Sequence, residues 1–439
     1  MATLTFHPAA LSGSASVPPA KSQAHRALLL AALGATPCRL TGFAQPLCDD
    51  VQAMIAGARA LGAKVDICED TLFVTPDPAH LEPEMVTCHV NACAAALRML
   101  IPAFLVRGQK VRFTMEEGLF RRPQTAYDDL IHSVGGSIRR IPAQNGNPCA
   151  IEVEGRLPAG YYEIDGSQSS QFASGLLIAL SHCRDERGEL APSTLQITGN
   201  IVSRPYLDMT LAQMRNFGLS FAEEIPGRFS LCPRCAPSPE TAPVEGDWSQ
   251  AAVLLCLSAL GGKVSVANLH EDSVQGDKQV VNVLECMGLE KHVSNGEMTL
   301  LLPEGSKLKP VDVDCTSIPD IAPILALALS RAPGESVLRG VNRLTIKESD
   351  RLAATVETLA QLGTTVTVED NNDVMHVFGG SPLRGGFEAD ARGDHRLVML
   401  LAAAASAADS PITVHGVESI TKSWPGFFET IKSLGGIIS

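Results

Sequence analysis

The chain lacks a basic excess. Its 35 lysines and arginines face 48 aspartates and glutamates, a formal net charge of −13, whereas a surface for the phosphate backbone of nucleic acid shows as surplus positive charge. This argues against a nucleic-acid partner, so any anion site must be local. Long apolar runs are missing too: nothing reaches the ~18 uninterrupted apolar residues of a membrane-spanning helix, and the longest candidate, residues 397–408, is alanine-rich and too short. The opening residues, Met1-Ala2-Thr3-Leu4-Thr5-Phe6-His7-Pro8, contain no basic region followed by an apolar core, so no secretory signal and no membrane association are expected. Twelve cysteines in such a chain read as reduced thiols in a cytoplasm. The one Cys-x-x-Cys, Cys232-Pro233-Arg234-Cys235, lacks the second ligand pair of a structural zinc site, since Cys256 stands alone; no metal is expected.

What is present begins with size and repetition. A chain of 439 residues exceeds what one hydrophobic core usually serves, so two domains are the natural expectation. Helical periodicity runs into glycine and then a β-branched stretch at Gly62, Gly135, Gly218, Gly288, Gly363 and Gly435, at intervals of roughly 70 to 85 residues. A glycine closing a helix in the left-handed conformation, followed at once by a strand, is an αβ connection, so the chain reads as six αβ modules. Between the third and fourth, the stretch 232–243 carries four prolines and reads as a crossover rather than an element.

Charged and hydroxyl residues gather where helices begin. In Lys347-Glu348-Ser349-Asp350-Arg351 and Asp394-His395-Arg396, cations and carboxylates lie side by side next to apolar helical stretches, an expensive arrangement unless a charged ligand belongs there. Asp165-Gly166-Ser167-Gln168-Ser169-Ser170-Gln171 precedes an apolar helix expected over 172–180. Free amides, the helix dipole and serine hydroxyls there suit a phosphate, although plain serine capping would give the same pattern. Lys21-Ser22-Gln23-Ala24-His25-Arg26 precedes a helix expected over 27–33 and sets cations against its dipole, a conflict an anion would resolve. Arg121-Arg122-Pro123, Ser203-Arg204-Pro205-Tyr206 and Thr421-Lys422-Ser423-Trp424-Pro425 repeat the theme of a cation or hydroxyl beside a proline-fixed loop.

Taken in order, Ser169-Ser170-Gln171, Ser203-Arg204-Pro205-Tyr206, Gln275-Gly276-Asp277, Ile318-Pro319-Asp320, the 347–351 and 394–396 runs and Lys422 give a chain that resembles the 5-enolpyruvylshikimate-3-phosphate synthases from Leu4 to near its end. The resemblance implies an α/β fold of two domains, each of three βαβαββ repeats, with the active site in the interdomain cleft. It also implies a discontinuous domain of residues 1–19 with 246–439, bearing the catalytic carboxylates, and a second domain of residues 20–245 bearing the phosphate-binding motifs. The implied reaction transfers the enolpyruvyl group of phosphoenolpyruvate to the 5-hydroxyl of 3-phosphoshikimate, with no metal or organic cofactor, in a monomer. By position, Lys21, Ala94, Arg122, Gln171, Arg351, His395, Arg396 and Lys422 resemble the phosphoenolpyruvate contacts. Lys21, Ser22, Arg26, Ser169, Ser170, Gln171, Ser203, Asp320 and Lys347 resemble the 3-phosphoshikimate contacts. Asp320 resembles the base for the 5-hydroxyl, and Glu348, with Lys21, the group that handles the proton on the vinyl carbon.

Four segments depart from the family pattern: Pro18-Pro19-Ala20-Lys21, His25-Arg26, Asp49-Asp50-Val51-Gln52 and Val90-Asn91-Ala92-Cys93-Ala94-Ala95-Ala96-Leu97-Arg98. In the last, Ala94 replaces a glycine. A methyl group there is expected to tighten the pyruvyl pocket, and to be strained if the position needs a positive φ. A working enzyme that tolerates glyphosate, or a paralogue that binds 3-phosphoshikimate without turnover, would follow. UDP-N-acetylglucosamine enolpyruvyl transferase is the alternative of another class; its reactive cysteine has no counterpart in 117–123.

Overall fold

At each of the six glycines marked in the sequence a helix ends in left-handed backbone and a strand begins two or three residues later, and Gly108 and Gly261 close helices in the same way. The computed structural model describes residues 1–43, 46–79, 84–144, 146–369 and 371–439. Gly62, Gly135, Gly218, Gly288, Gly363 and Gly435 have φ between 72° and 99°. At Gly62 its amide bonds the Arg59 carbonyl and the next amide, of Ala63, bonds Ala58; the other five ends repeat this double bond. Two orphan carbonyls are thereby satisfied at each helix end, and a side chain at any of these glycines would cost about 1 kcal/mol or more.

The strands these turns launch form six four-stranded sheets of one topology. In each, an edge strand runs parallel to the centre strand and the remaining two pair antiparallel. Residues 312–379 show the plan: Asp312–Asp314 lies parallel to Gly334–Arg339, which pairs antiparallel with Val374–Gly379, itself paired with Thr365–Val368. Helices Ala322–Leu329 and Arg351–Gln361 make the connections, giving βαβαββ. Residues 86–154 and 161–231 repeat it without interruption. The other three sheets recruit a distant strand: Thr241–Pro243 beside Cys38–Thr41, Ser12–Ser16 beside Lys263–Ala267, and Thr3–His7 beside Ile412–His415. The proline-rich stretch 232–243 therefore does end in a strand, contrary to its reading as a pure crossover. Its edge position explains the prolines, because an edge strand can forgo amide bonds on one side.

The chain divides into two compact units, Met1–Pro18 with Glu245–Ser439, and Pro19–Val244. Each holds three sheets around three almost wholly buried helices. In Pro19–Val244 these are Lys21–Ala32, Ala94–Arg107 and Ser170–Leu180. In the other unit they are Trp248–Cys256, Ala322–Leu329 and His395–Ala407. Leucine, alanine and isoleucine on every face explain their central place, since a helix apolar all round has no solvent side. Each buried leucine contributes about 1.5–3 kcal/mol. Gly175 lets two of these helices touch, for a Cβ there would lie 2.9 Å from the Arg98 carbonyl oxygen.

Three of these helices begin earlier than their apolar periodicity indicates, at Lys21, Ser170 and His395 rather than at 27, 172 and 397. Polar first turns, which lie outside the apolar period, hid the starts. Among the described residues no helix is long and apolar enough to cross a membrane.

Candidate active site

Four of the six buried helices, Lys21–Ala32, Ser170–Leu180, Trp248–Cys256 and His395–Ala407, open on a polar or charged first turn, where four amides lack helical partners and the dipole is positive. In Pro19–Val244 the helix Lys21–Ala32 has Ala20 at its cap position, with no side-chain acceptor. Lys21 meets its own dipole there and pairs with buried Asp50 at 2.8 Å, so a protein carboxylate already meets part of that conflict. His25 Nε2 sits 3.0 Å from the Asp50 carbonyl and 4.0 Å from Cys93 Sγ. Burial lowers its pKa to about 4 against the pull of Asp50, and Lys21 and Arg26 add to the drop; the imidazole is neutral. Arg26 is 1% exposed. Its guanidinium donates to Thr210 Oγ1, Ser174 Oγ and the carbonyls of Ser22 and Tyr206, which makes it a brace among three helices.

The second helix N-terminus is capped by Cys93, whose sulfur accepts from the Ala96 amide at 3.4 Å. Ala94 opens the helix proper. The expected strain at Ala94 is not there: it has helical backbone, and the left-handed residue of this turn is Asn91, with φ 48°. The methyl group is buried at 6% exposure. From the next turn Arg98 donates to Gln171 Oε1, Gln124 Oε1 and the Pro123 carbonyl at 2.9–3.0 Å, with its guanidinium carbon 4.7 Å from the centre of the Phe172 ring. It thus orients Gln171 and anchors the loop that carries half-buried Arg122. At the third N-terminus, Ser169 caps by accepting from the Gln171 amide at 3.3 Å, and Ser170 and Gln171 form the first turn. Ser203, just before helix Arg204–Asn216, is buried in left-handed backbone with φ 52°, a conformation that costs a non-glycine residue on the order of 1 kcal/mol and clusters at ligand sites.

The unit of Met1–Pro18 and Glu245–Ser439 is built differently, around one buried cation. Arg351, 1% exposed, donates to Asp394 through Nε at 2.9 Å and Nη2 at 3.1 Å, to Asp320 through Nη1 at 3.1 Å and to Glu348 through Nη2 at 2.7 Å. Asp394 also accepts from Ser349 Oγ and from the Arg396 amide, capping helix His395–Ala407. Lys347 Nζ lies 3.1 Å from Asp320, and Arg396 donates to the Ser249 carbonyl at 3.1 Å. His395, next to Asp394 in the chain, and Lys422 are buried, at 2% and 8% exposure.

The charges set each other's protonation. Burial alone would raise the Asp320 pKa, but Lys347, Arg396 and Arg351 together hold it well below the usual carboxylate range. Burial lowers Lys347, with Asp320 opposing and Arg351 and Arg343 assisting; burial likewise acts against Arg351, but its three carboxylates raise it. Asp277 behaves in the opposite way. Burial first, then the charge of Asp320, push it up to about 7, against a hydrogen bond from Ser249 and the charge of Arg396. Its Oδ1 is buried without a hydrogen-bond partner, while Ser249 Oγ donates to Oδ2.

The structure gathers Lys21, Ser22, Ala94, Gln171, Ser169 and Ser170 at buried helix starts in one unit, with Arg122 and Ser203 on neighbouring loops. In the other it gathers Asp320, Lys347, Glu348 and Arg351 into one ion-pair cluster, continuing through Asp394 to His395 and Arg396. Asp50, Arg98, Asp277 and Asp394 were not singled out from the sequence. All four stood inside quoted segments, so the signal was present for each, but the partners of Asp50 and Arg98 are distant in the chain. Among the described residues no group of three or more His, Cys, Asp or Glu is placed to hold a metal ion.

The chain matches the family model described as EPSP synthase (3-phosphoshikimate 1-carboxyvinyltransferase) over residues 6–431. It is 31% identical to a 3-phosphoshikimate 1-carboxyvinyltransferase of Clostridioides difficile (strain 630), covering 100% of this chain and 98% of that one. A protein of the same name from Clostridium botulinum (strain Eklund 17B / Type B) is 32% identical over 99% and 98%. Among solved structures, EPSP synthase from Acinetobacter baumannii superposes with a TM-score of 0.77 at 22% identity, covering 100% and 99% of the two chains. The enolpyruvyl transferase NikO from Streptomyces tendae gives 0.76 at 19%, covering 100% and 98%; these two show the fold.

Proposed function

As the chain belongs to the EPSP synthase family, we propose that it transfers the enolpyruvyl group of phosphoenolpyruvate to the 5-hydroxyl of 3-phosphoshikimate and releases inorganic phosphate. In this reading it acts in the cytoplasm as a monomer, on two small-molecule substrates, without metal or organic cofactor. The observation that carries the proposal is the Asp320, Lys347, Glu348 and Arg351 cluster, in which cations for two anionic substrates stand beside carboxylates for two proton transfers.

Asp320 takes the 5-hydroxyl proton as the oxygen attacks C2 of phosphoenolpyruvate, and Glu348, with Lys21, delivers a proton to C3. The tetrahedral adduct then loses phosphate as C3 gives its proton back. Asp320 at rest is held well below the usual range and is a poor base. Substrate phosphate and carboxylate groups that draw Lys347 and Arg351 to themselves raise its basicity at the moment it is needed. Arg351, His395, Arg396, Lys422, Arg122 and Gln171 bind phosphoenolpyruvate. Ser22, Ser169, Ser170, Gln171, Ser203 and Lys347 hold 3-phosphoshikimate, with helix N-termini adding amides and dipole. Arg26 supports this set from behind, by bracing helix Arg204–Asn216 through the Tyr206 carbonyl.

The test is phosphate release from purified protein. Release that requires both substrates supports the proposal; binding of 3-phosphoshikimate without release would leave a ligand-binding paralogue instead.

A further inference from the structure

The three buried helices of Pro19–Val244 have a second shared end. Their C-termini surround a cavity of about 820 Å³, lined by Leu33 and Gly34, by Val106, Arg107 and Gly108, and by His182. The helices are 12, 14 and 11 residues long, so this cavity lies roughly 17–21 Å along them from the residues assigned to substrate. Among the described residues five cationic side chains line it, Arg107, Lys110, Arg156, Arg184 and Arg234, against one carboxylate, Glu154, which Lys110 takes at 2.5 Å. Helix C-termini supply about half a negative charge each, too little to offset Arg156, Arg184 and Arg234 together.

Arg234 makes the imbalance acute. It is 7% exposed, and its donors reach the Ala236 carbonyl, Ser238 Oγ and His182 Nε2 at 2.8–3.3 Å. Exposed Arg184 donates to the Gly188 carbonyl rather than to a carboxylate, and Arg156 beside it is exposed too. A buried guanidinium without a counter-charge is costly. His182, between these arginines, has its pKa lowered to about 4, by burial and then by Arg234 and Arg107. The remaining wall is apolar, with Leu33, Pro78, Val106, Leu190 and Pro237, and the volume falls in the range of ligand pockets.

We propose that this cavity is a second binding site, for a small organic anion with an apolar body whose charged head meets Arg156, Arg184 and Arg234. It gives the Cys232–Cys235 segment a place in the molecule, since Arg234 and Cys235 both line the wall. The proposal does not depend on the assignment of the substrate residues.

The probe is 8-anilinonaphthalene-1-sulfonate, an aromatic sulfonate, titrated into the full chain. Saturable binding of one probe per chain is expected. It should weaken roughly tenfold in the Arg156→Glu/Arg184→Glu double variant, which reverses two exposed charges, and fall away in Ala236→Trp, which fills the cavity. Bound probe should also slow alkylation of Cys235 and leave Cys286, exposed in the other unit, unaffected. The variants should keep wild-type turnover. Binding that ignores both variants, absence of saturable binding, or displacement by 3-phosphoshikimate with Cys235 unprotected would each overturn the proposal.

Discussion

The two units meet charge in opposite ways. In the unit of Met1–Pro18 and Glu245–Ser439 the cations are bound to the protein's own carboxylates: three converge on Arg351 and one of them also holds Lys347. In Pro19–Val244 the candidate site sets hydroxyls, an amide, a neutral histidine and helix N-termini beside cations that mostly bond neutral acceptors, as Arg26 and Arg98 do, with Lys21 paired to Asp50. Self-paired charges can exchange partners and so move protons, whereas neutral donors and dipoles can hold a phosphate without changing state. The account therefore assigns proton transfer chiefly to the first unit and phosphate holding chiefly to the second.

Asp320→Asn should have the largest effect, lowering kcat about a thousandfold, within the usual range for loss of a general base. Steady-state phosphate release measures it, and an unchanged kcat would remove Asp320 from the mechanism. Asp394→Ala should follow at about 3–5 kcal/mol of stability, because it strips Arg351 of its bidentate partner and leaves a buried cation short of charge. A urea midpoint equal to wild type would show that the cluster tolerates its own dismantling.

Protonation gives the units opposite pH slopes. His25 and His182 have folded pKa values of about 4 against 6.5 unfolded, so the unfolded chain binds more protons between these values. Their contribution is full above 6.5 and is lost as pH falls toward 4. Asp277 has a folded value of about 7 against 3.8, so the folded chain holds the extra proton, and its contribution is lost as pH rises through 7. Asp277→Asn should accordingly stabilise the protein at pH 8 by on the order of 3 kcal/mol and do little at pH 4. Urea denaturation at the two pH values checks this, and equal shifts at both would contradict it.

Smaller effects probe Pro19–Val244. Arg98→Lys, which cannot reproduce the fork to Gln124 and Gln171, should raise the phosphoenolpyruvate KM about tenfold with kcat nearly unchanged. Ala94→Gly should cost at most about 1 kcal/mol at a helix start while tightening inhibition by glyphosate. Inhibition identical to wild type would show that the Ala94 methyl does not shape the pyruvyl pocket.

Much of this was legible in the sequence. The six helix-end glycines marked the modules because left-handed backbone leaves few other choices, and the charged runs marked the site because their cost has to be offset locally. Helix starts were not legible, because Lys21, Ser170 and His395 are polar and apolar periodicity only begins a turn later. The strand Thr241–Pro243 was hidden by prolines that an edge position allows. Asp50 and Arg98 stood in quoted segments but their roles were hidden, because nothing near them in the chain hints at Lys21 or Gln171, and Ala94 misled because the left-handed residue of its turn is Asn91.

The central claim is the division of labour, and calorimetric titration of 3-phosphoshikimate into two variants tests it directly. The account predicts that Asp320→Asn binds it within about fivefold of wild type although turnover collapses, while Ser170→Ala loses roughly tenfold or more in affinity. The reverse pattern, with binding lost in Asp320→Asn and kept in Ser170→Ala, would contradict it.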